Sequence, residues 1–421
     1  MILVLATQLV SAWLALGHIS QAPHHYNITI ELSPARRYLE ATVLLDFRAA
    51  AATDSLVFFL HEQLAVDSVS AQGLSGFVVL DDGVPSYMPD ANTVVLRFDG
   101  PLSKDRATRI SFRYSGRITR HRNPANRLSE DWVELNLYSP FFPFNFDYGP
   151  FTYFVDVSLD ESYTVVGMGR TLGAGKRWTI ESDVPAIDIV VTASKDYTVE
   201  QRTRGVFGAT IGFTNLPPEV AGIILEDGIW LLSAYAGWFG DVGQQHASIV
   251  VAPRAGGGGY SRKGFVVLAA FDEEDYTEER VATFKHVAHE FAHIWWSMAP
   301  VDSWEDWLNE SFAEYTALMA VRETFGVAQF KELMAQKSAF AEGQPAIVGL
   351  ERSSRGAYSV LYYKGPTLLH ALEIRLGPKR FRRLLREMIA RDVSTTDRFL
   401  GVLGELEGEA VRAKFAAKLS R

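Results

Sequence analysis

His289-Glu290-Phe291-Ala292-His293 is the stretch that leaves this chain least freedom in how it folds. Side chains four residues apart share one face of an α-helix, so these two imidazoles reach a common metal ion only if the segment is helical. Glu290 then lies beside that metal, where a carboxylate can take a proton from a bound water. The flanking pattern agrees with a helix. Val281, Phe284, Ala288, Phe291 and Trp295 recur at three- and four-residue steps and form a buried stripe. The helix is expected to start near Asp275 or Thr277, with Glu278 and Glu279 in its first turn, where the dipole favours acids. At about 100° per residue, His289 and His293 point away from the stripe, toward a cleft.

Two histidines and a water leave tetrahedral zinc one protein ligand short. Trp307-Leu308-Asn309-Glu310 supplies a candidate: it follows Ser303, a suitable N-cap, and opens an amphipathic segment containing Phe312, Tyr315 and Met319. Alone, Glu310 reads as a solvated helix glutamate. Beside the two-histidine motif it reads as the third ligand, giving the His-His-Glu set of the thermolysin class. His286 shares the histidine face but is expected outside the ligand set, because a catalytic zinc keeps its fourth position for water. Glu314 is a candidate outer-shell acceptor that could orient a ligand histidine.

A chain of 421 residues is long for one core, which predicts two domains. From His24 to about Tyr197 apolar and polar residues alternate, as in Tyr26, Ile28, Ile30, Leu32 and again in Leu39, Ala41, Val43, Leu45, Phe47. Further strand runs are expected at 56–60, 93–98, 109–114, 152–159 and 187–192, punctuated by turns such as Asp81-Asp82-Gly83. The aromatic block from Tyr138 to Tyr148 reads as a packed domain interface, with a substrate-facing wall as the alternative. After about residue 205 the pattern turns helical, with a helix over 217–239 and strands at 247–252 and 264–270 around a glycine loop, Gly256 to Gly259. Gly258 and Gly259 are candidate substrate-binding residues, because glycine lets a peptide backbone approach an edge strand closely; a flexible hairpin tip is the bland alternative. Arg262 and Lys263 read as solvated bases. The expected fold class is α+β with two domains: an antiparallel β-sandwich-like domain over 23–204, then a mainly helical domain over 205–421.

A net charge of −9 argues against a nucleic-acid partner, which would want a basic face. The one strongly apolar stretch, Ile2 to Leu16, is shorter than the roughly 20 residues of a membrane span and suits the core of a secretory signal over residues 1–22. The expectation is export to the periplasm or medium without stable membrane insertion, with an N-terminal anchor as the alternative. The chain has no cysteine, so disulfide and thiol chemistry are excluded.

His-Glu-Phe-Ala-His-Ile-Trp-Trp, then Trp304, then Trp307-Leu-Asn-Glu-Ser-Phe-Ala-Glu-Tyr315, resembles the zinc aminopeptidase family of alanyl aminopeptidase and leukotriene hydrolase. The likeness is strongest from about Ala252 to Leu376 and implies a β-rich N-terminal domain before a thermolysin-like one, without the C-terminal domains of larger members. It implies one zinc per chain on His289, His293 and Glu310, with Glu290 as the general base. Tyr362-Tyr363-Lys364-Gly365 is similar to the family's Tyr-x-Lys-Gly segment, which implies that Tyr362 donates a hydrogen bond to the oxyanion, while Tyr363 is structural.

The chain departs from the family in three places. Sixteen residues separate His293 from Glu310, where relatives have about 18. Where relatives carry Gly-x-Met-Glu-Asn, this chain reads Gly258-Gly259-Tyr260-Ser261-Arg262, so Ser261 stands where a glutamate would grip the substrate's free amine. No counterpart of the amine-binding Gln or Glu of the N-terminal domain is evident. The expected function is zinc-dependent hydrolysis of peptide bonds, aminopeptidase-like in fold but without the amine-binding signature. An endopeptidase or blocked-peptide hydrolase is one alternative, and an inactive zinc-stabilised binding domain another. Peptide is the expected partner; oligomeric state is not legible in the sequence.

Overall fold

The structure, a computed structural model, describes residues 23–421 apart from 86, 105, 124, 255–258 and 271–278. The segment read as a signal, the expected start of the motif helix and Gly258 lie outside the described residues. The chain gathers into two compact units, and one cut near residue 204 does not separate them. The first comprises the described residues up to Asn126, with Asn136–Asp160 and Thr179–Ile187; the second comprises Arg127–Leu135, Glu161–Trp178 and Asp188–Arg421.

The first unit is β-rich, and its alternation is the one expected. His24–Ser33 buries Tyr26, Ile28, Ile30 and Leu32, and its antiparallel partner Tyr38–Arg48 buries Leu39, Ala41, Val43, Leu45 and Phe47. Ala107–Arg117 continues that sheet on the far side of Tyr38–Arg48. One pairing is not antiparallel, since His24–Ser33 runs parallel to Phe151–Leu159. Thr53–His61, Ala91–Leu102 and Leu74–Leu80 form a second, three-stranded sheet. The aromatic block packs inside this unit: Phe141, Phe142 and Phe144 are buried, and Phe142 meets Tyr26 and Phe151 edge-on.

The second unit carries a five-stranded mixed sheet in the order Thr198–Arg204, Phe207–Phe213, His246–Ala252, Phe265–Ala269, Gly259–Arg262. The three inner strands are parallel, and Phe265–Ala269 is apolar throughout, as a strand covered on both faces must be. Gly259–Arg262 is an edge strand. Helix α1 (Pro218–Phe239) buries Ile224, Leu225, Leu231, Leu232 and Tyr235. It is the one helix among the described residues long and apolar enough to cross a membrane, but most of it is buried in this unit. Helix α2 (Arg280–Ala292) lies on α1 at Gly228, where a Cβ would stand 2.8 Å from the Phe291 ring. The Tyr235 hydroxyl donates to the Ala288 carbonyl across the same contact, at 2.9 Å. Helices α3 (Trp307–Phe325) and α4 (Val327–Ala341) follow. The apolar segment over 357–376 is not one regular helix: Val360–Lys364 forms a π-helical turn before α5 (Gly365–Leu376).

Candidate metal centre

His289 lies in the last turn of α2 and His293 caps its end. The His293 Nδ1 stands 2.9 Å from the Trp296 carbonyl oxygen. A carbonyl only accepts, so Nδ1 carries the proton and Nε2 keeps its lone pair. The Nδ1 of His289 stands at ion-pair distance, 3.0 Å, from Glu314 Oε2. The two Nε2 atoms face each other at 3.2 Å, and Glu310 Oε2 stands 3.4 Å from one and 3.8 Å from the other. That oxygen is buried and has no hydrogen-bond donor. Zinc–nitrogen bonds of about 2.0–2.1 Å in a tetrahedron set ligand atoms about 3.3 Å apart, so the three observed edges fit a zinc ion. Among the described residues, His289, His293 and Glu310 are the one group of three or more His and acid side chains close enough to share a metal.

The shortened interval between the ligands is held by Asn309. Its side chain accepts from the Ala299 amide at 3.0 Å and donates to the Ala299 carbonyl and to Asp306 at 2.9 Å each. Asp306 also receives Arg352 at 2.7 Å. Ser303 caps a short 3-10 turn, Trp304–Asp306, that feeds α3, so Glu310 falls in the first turn of that helix. The loop is thereby pinned to the helix that carries Glu310.

Glu314, one turn further along α3, is the outer-shell acceptor expected. It is fully buried, and burial alone would raise its carboxyl. Lys285 at 2.6 Å, together with His289 and with Lys337 at 2.5 Å, holds it well below the usual carboxylate range. Glu310 behaves likewise: burial opposes ionisation, but His293, His289 and the Tyr362 hydroxyl keep it ionised. Burial pushes the Tyr362 phenol well above its ordinary value, reinforced by the Glu310 charge, so it is a hydrogen-bond donor at every physiological pH. Its ring lies 5.4 Å from that of His289. For His289 itself, burial favours the neutral form, yet Glu310 and Glu314 outweigh it and raise the imidazole to about 10. A metal ion would take the place of that proton. His286 is not brought into the ligand group.

Glu290 is buried with its carboxylate against the edge strand: a Cβ on Gly259 would stand 3.3 Å from Glu290 Oε1 and 2.6 Å from the Val267 carbonyl. Only glycine fits there, and Gly259 is thereby placed at the site. The sequence reading of Arg262 as a solvated base is corrected, because Arg262 is buried and paired with the buried Asp188 at 2.8 Å. A second residue was missed. Glu134, from the strand Val133–Leu135, is almost wholly buried and hydrogen-bonds Tyr260 of the edge strand. It also accepts from Trp132 at 3.0 Å and pairs with Arg254 at 2.8 Å. Burial raises its carboxyl against the pull of these partners. Its one signal in the sequence is a charge inside an apolar run, Trp132-Val133-Glu134-Leu135.

Residues 265–413 match the Peptidase family M1 domain. This stretch, about a third of the chain, is similar to the family M1 peptidase domain. Aminopeptidase M1-D of Oryza sativa subsp. japonica is 30% identical over 164 residues, 35% of this chain but 19% of the rice protein. Aminopeptidase M1-B of the same plant is 31% identical over 141 residues, covering 30% and 16%. The matched stretches thus span less than a fifth of these relatives. The M1 zinc metallopeptidase of Deinococcus radiodurans has the same fold over nearly the whole chain, with a TM-score of 0.74, 18% identity, and coverage of 95% of this chain and 93% of that one. A mutant of the Deinococcus enzyme bound to a Tyr-Ser-Ala substrate superposes equally well, at 18% identity over 95% and 94%. The M1 match contains both histidines, Glu290, Glu310 and Tyr362, whereas the edge strand and Glu134 lie outside it.

Proposed function

We propose that this protein is a zinc-dependent metallopeptidase that cleaves peptide bonds with a metal-activated water. The observation that carries the reading is the convergence of His289, His293 and Glu310 on one point, with Glu290 beside it. One zinc per chain, held by these three side chains, would polarise the scissile carbonyl and acidify a water. Glu290, held against Gly259, takes the water's proton and passes it to the departing amine. Tyr362 donates its hydroxyl proton to a hydrogen bond with the oxyanion. The strand Gly259–Arg262 lies at the edge of its sheet, where an extended peptide can be added as a further strand.

The test is a peptide-library digestion by the purified protein before and after chelation. Activity lost to the chelator and restored by zinc is expected. A zinc-loaded, folded protein that cleaves nothing would leave the zinc-stabilised binding domain in its place.

A second reading concerns the end of the peptide. Two acids bond to the edge strand, Glu134 and Asp188, paired with Arg254 and Arg262, while Ser261 brings no charge. Among the described residues these two acids are therefore already paired against a free α-ammonium, which supports hydrolysis of blocked or internal peptide bonds over removal of a free N-terminal residue. Comparing one peptide with a free and with an acetylated amine separates the two; a clear preference for the free amine sinks the blocked-peptide reading. Export to the periplasm or medium is proposed from Ile2 to Leu16 alone, and cell fractionation tests it.

A further inference from the structure

Lys337 has no place in the chemistry above, yet its position is unusual for a lysine. It lies on α4, outside the helices that carry the ligands, and is only 6% exposed. Its ammonium makes two polar contacts at once. One is with Glu314 Oε1 at 2.5 Å, the carboxylate whose other oxygen orients His289. The second is with the backbone carbonyl of Tyr362, at 2.9 Å. The ammonium also sits 4.9 Å above the ring of Tyr363.

The sequence explains why that carbonyl needs a donor from elsewhere. In a regular helix the carbonyl of Tyr362 would receive the amide of residue 366, but residue 366 is proline and has no N–H. The backbone here widens into the π-helical turn Val360–Lys364, in which the Gly365 amide reaches back to Val360. The turn is packed hard against α3: the Ser311 hydroxyl donates to the Leu361 carbonyl at 2.7 Å, and a Cβ on Gly365 would overlap Ser311. The Lys337 ammonium donates to the carbonyl to which proline cannot. Lys285 shares Glu314 Oε1 from α2 at 2.6 Å, so Glu314 keeps one positive partner without Lys337. Of the two lysines, Lys337 is the one that also holds Tyr362.

We propose that Lys337 is a positioning residue that fixes the oxyanion tyrosine at a set distance from the metal, by bridging Glu314 to the backbone of Tyr362. The inference rests on the peptidase reading for its kinetic consequence and on geometry alone for its structural one. Without the bridge, the π-helical turn has one fewer tie to the ligand shell, and the Tyr362 hydroxyl no longer stays over the reacting carbonyl. Substrate binding along the edge strand is untouched, so the loss belongs to kcat.

The experiment uses the full chain with Lys337→Met, Lys337→Gln and Lys285→Met, each with and without Tyr362→Phe. Because Lys285 still neutralises Glu314, the Lys337 variants keep a paired buried carboxylate and are expected to fold. Rates are read on a quenched fluorogenic peptide, with a free or acetylated amine according to which form the unaltered protein cleaves. Lys337→Met is expected to lower kcat about 30-fold with KM within twofold and with zinc content retained. Adding Tyr362→Phe to it should cost less than threefold more, whereas in the Lys285→Met background Tyr362→Phe keeps most of its effect. In the cobalt-substituted protein, both Lys337 variants should shift the visible absorption bands, because Glu314 relaxes on His289. A kcat within threefold of the unaltered protein, or a full Tyr362→Phe effect in the Lys337→Met background, overturns the proposal. If the unaltered protein cleaves no peptide, the peptidase reading alone falls, and unmoved cobalt bands in both Lys337 variants then overturn the bridge.

Discussion

Among the described residues two pairs of buried or part-buried histidine rings pack together, one in each unit, and they have opposite surroundings. In the second unit the rings of His289 and His293 lie 4.8 Å apart; in the first, β-rich unit those of His61 and His121 lie 6.0 Å apart. Both pairs have acids nearby. Around His61 and His121 the acids face guanidinium groups: Glu62 stands 3.0 Å from Arg120 and 3.5 Å from Arg122, and the buried Asp90 stands 3.5 Å from the Arg122 guanidinium and accepts its backbone amide at 2.8 Å. Around His289 and His293, Glu310 Oε2 faces the two Nε2 atoms, and no guanidinium or ammonium among the described residues pairs with it. The electrostatic outcome is reversed accordingly. Burial wins at His121 and lowers it to about 4, whereas at His289 the two glutamates outweigh burial. Proximity of imidazoles does not make a metal site; an uncompensated carboxylate aimed between them does.

The largest expected effect tests the chemistry of the first pair. Glu290→Gln should keep zinc and lose about 10³-fold in turnover, because the amide cannot accept the water's proton. An unchanged rate would remove Glu290 as the base. His293→Ala should abolish stable zinc binding, while His121→Ala should leave metal analysis at one zinc per chain; zinc lost from the second protein would erase the contrast. Tyr362→Phe should lower kcat by about 10² with metal content unchanged, and a normal rate would take Tyr362 out of the scheme.

The smallest effect concerns acid stability of the β-rich unit. The folded value of His121 lies below its unfolded value of 6.5, so between those limits the unfolded chain binds more protons. Stability should therefore fall as pH drops from about 6.5 to about 4 and then cease to depend on this group. His61 is lowered as well, by burial against the opposing pull of Asp90, and adds to the same slope. Thermal midpoints measured across that window should flatten in His121→Gln; an unaltered slope would clear His121 of the effect.

The cluster of His289, His293 and Glu310 was legible because it is local. Helical spacing places two histidines and a glutamate, and one carboxylate one turn into the next helix is a short step. The alternation of the first β strands was legible for the same reason, since period two reports one buried face. What the sequence hid was pairing between distant segments. Arg262 looks solvated in a loop of bases, and only the fold brings it to Asp188, 74 residues away in sequence. Glu134 lies 120 residues from Arg254, and its strand belongs to the second unit although the sequence groups it with the β domain. The π-helical turn was missed because an apolar run ahead of Lys364-Gly365-Pro366 reads as a regular helix until its carbonyls are traced one by one.

Asn309 carries a lesson for recognising proteins of this kind. With three hydrogen bonds fastening the strap between the ligand-bearing helices, insertions and deletions in that strap become nearly silent. A search keyed to the count of residues separating the second histidine from the glutamate would pass over such chains. A search keyed to an asparagine directly before the glutamate would keep them.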